Sequence, residues 1–124
     1  QMAVLDGRIL GKPGTESRAV AQLLELSGRT HELWTSLAVL RTRDPCRLTT
    51  HAEVWKLTMR ELSAEQARAY VRADSPLDCA GSYRFESMGI RLFARVQGSD
   101  PSAITGLPVI ALVDMLKQLG IPIV

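Results

Sequence analysis

The sequence predicts an α/β domain, a sheet with helices packed on it, and three observations carry that prediction. Four stretches have the alternating or β-branched apolar character of strands: residues 2–10, 33–40, 48–59 and 90–96. Three stretches have apolar residues at helical spacing and open on a residue suited to a helix start, namely Thr15, Ser63 and Pro108. Their order is hairpin, helix, strand, strand, helix, strand, helix. No repeat, low-complexity tract or linker interrupts it, so one domain with an α+β or mixed sheet is expected.

Each element has a local reason. Met2 to Leu5 is apolar, Asp6-Gly7 is a turn dipeptide that accepts positive φ, and Arg8-Ile9-Leu10 resumes, which predicts a tight hairpin. Gly11-Lys12-Pro13-Gly14 breaks regular structure. Thr15 then caps a helix carrying Ala19, Val20, Leu23, Leu24 and Leu26, and Gly28 ends it in the left-handed region. Residues 33–40 and 48–59 read as two long strands joined by a polar connection at 41–47. Ser63-Ala64-Glu65-Gln66 is a capping box, and the helix after it turns Ala67, Tyr70 and Val71 inward before Ser75-Pro76 stops it. Residues 78–87 are small and polar, 90–96 is a strand, and 98–106 is a loop. Pro108 suits the first turn of a last helix, which runs to Leu119 and closes at Gly120.

Composition narrows the function. With 124 residues, 46% hydrophobic and 23% charged, the chain has the balance of an ordinary globular domain. A net charge of +2 excludes a general nucleic-acid coat, which needs a strong basic stripe. Of 15 basic residues only Lys12, Lys56 and Lys117 are lysine. Cys46 and Cys79 form no CxxC pair and have no metal-ligand spacing to His31 or His51, which fits a reducing cytoplasm. No run of 18 apolar residues and no signal pattern points to a membrane or to export.

Three loops offer chemistry. Lys12, behind a glycine and near a helix start, can set a point charge against a phosphate; alone, the tripeptide suits a surface turn as well. The stretch CAGSYRFE places Gly81, Ser82, Tyr83, Arg84 and Glu86 together. Gly81 permits close backbone approach, Tyr83 offers a ring for stacking, and an ionised Glu86 accepts two parallel N–H donors. Guanine has such a pair on its Watson–Crick edge. The plainer alternative is a connecting loop with a solvated glutamate and a core tyrosine. Asp100, between Gly98-Ser99 and Pro101, reads as a turn former, with a metal-ligand role as the lesser alternative. His31 and His51 have no carboxylate or cysteine at ligand spacing and read as structural.

In order and spacing, the segments QMAVLDGRILGKP, LLELSGRTHELWTSLAVL, ELSAEQARAYV, PLDCAGSYRFESMGIRLF and GSDPSAITGLPVIALVDMLKQLG resemble the Maf family of nucleoside-triphosphate pyrophosphatases. The most specific part is DCAGSY followed by the glutamate and, later, GLP. The resemblance implies a Maf/inosine-triphosphatase-like mixed sheet and cleavage between the α and β phosphates, giving a monophosphate and pyrophosphate with a divalent metal, Mg2+ or Mn2+. It implies that Lys12 is the phosphate-side catalytic lysine and that Gln1, at a position tied to substrate choice, sits beside the general base. That base is an aspartate directly before the position of Gln1. It also implies that Ser82, Tyr83, Arg84 and Glu86 bind substrate. The 7-methyl-GTP branch resembles Cys-Ala-Gly-Ser-Phe-Lys-x-Glu-Gly here, and the dTTP and UTP branch Gly-x-Tyr-x-Ile-Gln-Gly. Cys79, Ser82, Arg84 and Glu86 place this chain with the first. Ser87, where glycine is usual, and Ser36, where glycine usually follows the threonine, depart from the pattern.

The family's base, its Ser-Pro-x-Arg-Arg phosphate loop and its metal-holding glutamate precede these residues, so residues 1–124 are expected to be an N-terminally incomplete Maf-like domain exposing an apolar edge or face. The expected activity is hydrolysis of a 7-methylguanosine-type triphosphate in the cytoplasm, with the nucleotide as partner, no nucleic acid or membrane, and room for a homodimer. Two alternatives stand beside it: dTTP or UTP as substrate, and an inactive fragment that binds a nucleotide or a protein.

Overall fold

The fold is that of a computed structural model, which describes residues 1–123. It begins with the hairpin of β1 (Met2–Leu5) and β2 (Arg8–Leu10). Asp6 and Gly7 both have positive φ, 49° and 77°, which is the tight-turn geometry that an Asp-Gly pair accepts. β1 then pairs with β3 (Thr30–Arg41), β3 with β4 (Arg47–Met59), and β4 with β5 (Phe93–Gln97). The order is β2-β1-β3-β4-β5, and each of these pairings is antiparallel. With α1 (Glu16–Leu26), α2 (Ala64–Asp74), the short α3 (Pro101–Ile104) and α4 (Val109–Gln118), this is the mixed α/β architecture the sequence predicts.

One face of the sheet makes the core. Ala3, Leu5, Leu10, Leu33, Trp55, Leu57, Met59 and Phe93 meet Ala19, Leu23 and Leu26 of α1 and Ala67, Tyr70 and Val71 of α2. Strand alternation sends the neighbouring residues to the other face. There Met2 and Ile9 are exposed at 40% and 62%, and Val4, Trp34 and Val54 are half-buried.

Helix ends follow their sequence signals. The Thr15 hydroxyl accepts from Arg18 N at 3.4 Å, both halves of the Ser63/Gln66 capping box form, and Gly28 has φ 69°. Three boundaries differ from expectation. β3 starts at Thr30, three residues early, because His31 shares the inward face of Leu33 and Thr35. β5 starts at Phe93, because 89–92 form a 3-10 turn folded back on Arg84, whose carbonyl accepts from Gly89 N at 2.8 Å. The expected loop at 98–106 contains α3, since Asp100 caps a helix that has proline at its first position.

Candidate active site

A cleft of about 370 Å³ opens where the start of β1, the loop after β2, the 78–86 segment and the end of α3 converge. Five of the residues singled out in the sequence line it: Gln1, Lys12, Tyr83, Arg84 and Glu86. They come from both ends of the chain, so the sheet and α1 must be in place before the cleft exists.

Gln1 is held by its amide nitrogen. Nε2 lies 2.9 Å from Thr35 Oγ1, 3.1 Å from the Ala103 carbonyl and 2.9 Å from the Ile104 carbonyl. The Thr35 hydroxyl itself donates to Ala103 O at 2.8 Å, so it can only accept from Gln1. Carbonyls only accept, which fixes the orientation of the carboxamide. Its oxygen has no protein partner among the described residues and is the end left for the cleft. α3, which supplies these carbonyls, is set from the sheet. Glu53 of β4 accepts from Ser99 N and Asp100 N at 3.2 and 3.3 Å, and Trp55 Nε1 donates to Asp100 O at 3.0 Å.

Lys12 is exposed on the loop between β2 and α1. The loop is tied on both sides of it: Gly11 O accepts from Gln22 Nε2 at 2.9 Å, and Gly14 N donates to Leu77 O at 2.9 Å. Arg84 Nη2 pairs with Asp78 Oδ1 at 2.9 Å, and both side chains are substantially exposed. That bond holds the Asp78 carboxyl below, and the Arg84 guanidinium above, their usual ranges. Burial pushes the neighbouring Cys79 thiol up.

Tyr83 reaches the cleft but belongs chiefly to the core. It is 5% exposed, its ring stands edge-on to Phe93 at 4.9 Å, and its hydroxyl lies 2.9 Å from His31 Nε2. Burial pushes the Tyr83 hydroxyl up and His31 down from 6.5 to about 4, so this pair is neutral at pH 7. The expectation of a Tyr83 ring standing free for stacking is corrected accordingly. The half-buried Phe85, overlooked in the sequence, also lines the cleft and is the more accessible aromatic.

Ser82 does not join the group. It is fully buried, and its hydroxyl donates to Gln22 Oε1 of α1. Gly81, with φ 76°, packs against Tyr83 and Ala3, leaving no space for a Cβ, so it serves the turn and not a ligand. Asp100 also lies elsewhere. Burial would raise its carboxyl, but bonds from the Ser102 hydroxyl and from Ile110 N and Ser102 N outweigh that and hold it down. It caps α3 and clamps the start of α4. Among the described residues, no group of three His, Cys, Asp or Glu side chains could hold a metal. They do not form a cage for a divalent ion. Ser87, which departs from the family's glycine, donates from Oγ to Asp74 Oδ1 at 2.7 Å, toward α2 and away from the cleft.

Comparison with known proteins gives one consistent answer. A family model described as Maf-like protein matches residues 1–119. The 7-methyl-GTP pyrophosphatase of Idiomarina loihiensis is 45% identical over 122 residues, which are 98% of this chain and 61% of that protein. The proteins of that name from Pseudomonas aeruginosa and Vibrio cholerae are 43% and 39% identical, over 99% and 100% of this chain and 64% of each relative. The chain thus spans about three fifths of the length of these curated relatives.

Proposed function

The chain belongs to the Maf-like protein family, and from that premise we propose that the protein is a nucleoside-triphosphate pyrophosphatase that prefers 7-methyl-GTP, releasing the monophosphate and pyrophosphate. The observation that carries this reading is the meeting of Lys12, Glu86 and the Gln1 carboxamide in one cleft. Lys12 supplies a point charge for phosphate oxygens as the anhydride bond breaks. Glu86 and the free Gln1 oxygen are both acceptors. Guanine offers adjacent N–H donors on one edge, and a 7-methyl group adds positive charge that draws a carboxylate. Uracil and thymine offer one N–H between two carbonyls, so two acceptors suit them poorly. The names of the relatives agree with the guanine side of that contrast.

Within this reading, residues 1–124 belong to one Maf-like domain of a protein that acts in the cytoplasm on a free nucleotide, with room for a homodimer. Among the described residues, no helix is long and apolar enough to cross a membrane. A divalent ion, Mg2+ or Mn2+, enters only as a requirement for turnover by the whole protein. The attacking water needs a base, and the buried neutral His31 is no candidate for it. The reading assigns that role to the aspartate that the family places directly before Gln1. This favours a second reading for residues 1–124 alone, which bind the nucleotide without turning it over.

The test is pyrophosphate release from 7-methyl-GTP, GTP, dTTP and UTP by the polypeptide as its gene encodes it. The highest kcat/KM is expected for 7-methyl-GTP, and preference for dTTP or UTP would overturn the assignment. Turnover by residues 1–124 alone would overturn the second reading.

A further inference from the structure

We propose that Ser87, Asp74 and Tyr70 are positioning residues that set base preference by fixing the turn carrying Glu86; this rests on the role given above to Glu86. Asp74 ends α2, where the helix dipole already places negative charge, and it is only 7% exposed. A carboxylate there is doubly unfavourable unless strong donors meet it. Two hydroxyls do. Tyr70 Oη donates to Asp74 Oδ2 and Ser87 Oγ to Oδ1, each at 2.7 Å. Tyr70 Oη in turn accepts from Arg84 N at 3.0 Å.

The end of α2 therefore grips the 84–89 turn at two points, Arg84 and Ser87, with only Phe85 and Glu86 between them. The turn is also closed across its own base. Ser87 N and Gly89 N both donate to Arg84 O, at 3.2 and 2.8 Å, and a Cβ on Gly89 would run into that carbonyl. Glu86 is exposed at the apex and lines the cleft, whereas Ser87 and Asp74 do not. A carboxylate that must offer both oxygens to two parallel N–H groups depends on its orientation, and misplacement by about 1 Å can cost up to about 100-fold. The α2 clamp is what sets that orientation.

The experiment compares Ser87→Ala, Ser87→Thr, Tyr70→Phe, Glu86→Gln and the Ser87→Ala/Glu86→Gln double variant in the polypeptide as its gene encodes it. It reads the ratio of kcat/KM for 7-methyl-GTP to that for UTP. Where the polypeptide binds without turnover, the ratio of Kd values from titration calorimetry takes its place. Ser87→Ala should lower the ratio about tenfold through the KM for 7-methyl-GTP, with kcat on UTP within about twofold of the parent. Ser87→Thr, which keeps the hydroxyl, should retain the parent ratio. In the Glu86→Gln background, Ser87→Ala should have no further effect, because the clamp acts through Glu86. Tyr70→Phe removes the second donor while keeping the ring, and it should move the ratio the same way, so the test survives an unstable Ser87 variant. If Glu86→Gln changes the ratio while Ser87→Ala and Tyr70→Phe leave it alone, the clamp is overturned and the role of Glu86 stands. An equal Ser87→Ala loss in both backgrounds also overturns the clamp. A silent Glu86→Gln overturns both.

Discussion

The two walls of the cleft are held from different parts of the fold. The Gln1 wall is anchored on the sheet: Thr35 of β3 and Glu53 and Trp55 of β4 hold α3, and α3 holds Gln1. β3 and β4 pair over twelve register positions, so this wall stands on the most extensive pairing in the molecule. The Glu86 wall is anchored on helices. Tyr70 and Asp74 of α2 grip its turn, and Gln22 of α1 holds Ser82. Side-chain bonds hold both walls, but those of the Gln1 wall are more numerous and spring from two long paired strands, whereas two hydroxyls on one carboxylate tie the 84–89 turn to α2, so one substitution should release the second wall more readily. The difference predicts that base preference is easier to alter from the Glu86 side.

The largest effect should touch neither wall. Lys12 lies on the loop between β2 and α1 and lines the cleft, and in the proposed function its charge serves phosphate, which every candidate substrate shares. Lys12→Ala is expected to lower kcat about 10²–10³-fold for 7-methyl-GTP and UTP alike. A loss confined to one base would mean that Lys12 belongs to the base-sorting walls, and the comparison would have to be redrawn.

The next effect separates the walls by pH. His31 lies under the Glu86 wall, bonded to Tyr83, and burial lowers it from 6.5 to about 4. Between these values the unfolded chain binds a proton that the folded chain refuses. Stability is therefore fully present above pH 6.5 and falls as pH drops toward 4. The loss reaches about 3 kcal/mol, at about 1.4 kcal/mol per pH unit. His31→Phe should be less stable at pH 7.5, because it strands the Tyr83 hydroxyl, yet flatter from pH 6.5 to 4 in urea unfolding. An equally steep acid slope in the variant would remove His31 from the account.

Local signals made much of this legible. The Asp6-Gly7 turn, the Ser63/Gln66 capping box and Gly28 are each decided within four residues, and they appear where the sequence puts them. The family resemblance marks Gln1, Lys12 and Glu86, and the three share the cleft. What escaped was direction and distance. Tyr83 and Ser82 were visible as residue types, but nothing local says that one packs on Phe93 and the other turns to α1. His31 stands among the polar Arg29, Thr30 and Glu32, which hides the alternation of 31, 33 and 35 and the true start of β3. Thr35 holds Gln1 across 34 residues and Ala103 across 68, and no pattern in one sequence marks such a partnership.

Thr35 gives the next smaller prediction, the counterpart of the α2 clamp on the sheet-anchored wall. Thr35→Val keeps the shape and the β-branched fit to the strand. It removes the donor to Ala103 O and one of three acceptors for Gln1 Nε2. The buried carbonyl keeps its bond to Gln1, at 3.1 Å, so the cost should stay near 1 kcal/mol, read by urea unfolding. The 7-methyl-GTP to UTP preference should fall less than about threefold, because the two α3 carbonyls still orient Gln1. A loss as large as that of Ser87→Ala would show that the sheet does not make its wall the stiffer one.

Arg84 should give the smallest effect, and it tests what a charge at the cleft contributes when it is already paired. Its guanidinium meets Asp78 in an exposed bond, with side chains 36% and 71% accessible. Exposed pairs add little to stability and are screened by salt. The structural grip on the 84–89 turn uses the Arg84 backbone, N to Tyr70 and O to Gly89, which a side-chain change leaves in place. Arg84→Met should therefore keep the base preference, leave the thermal midpoint nearly unchanged and alter KM by no more than about threefold. Because Asp78 would be left alone at the cleft and would repel phosphate, that KM change should be an increase, larger at low ionic strength and shrinking as salt is added. An increase well beyond threefold would mean that the Arg84–Asp78 pair opens on binding and that the freed guanidinium contacts the nucleotide, and a lower KM would mean that the paired side chain obstructs the cleft.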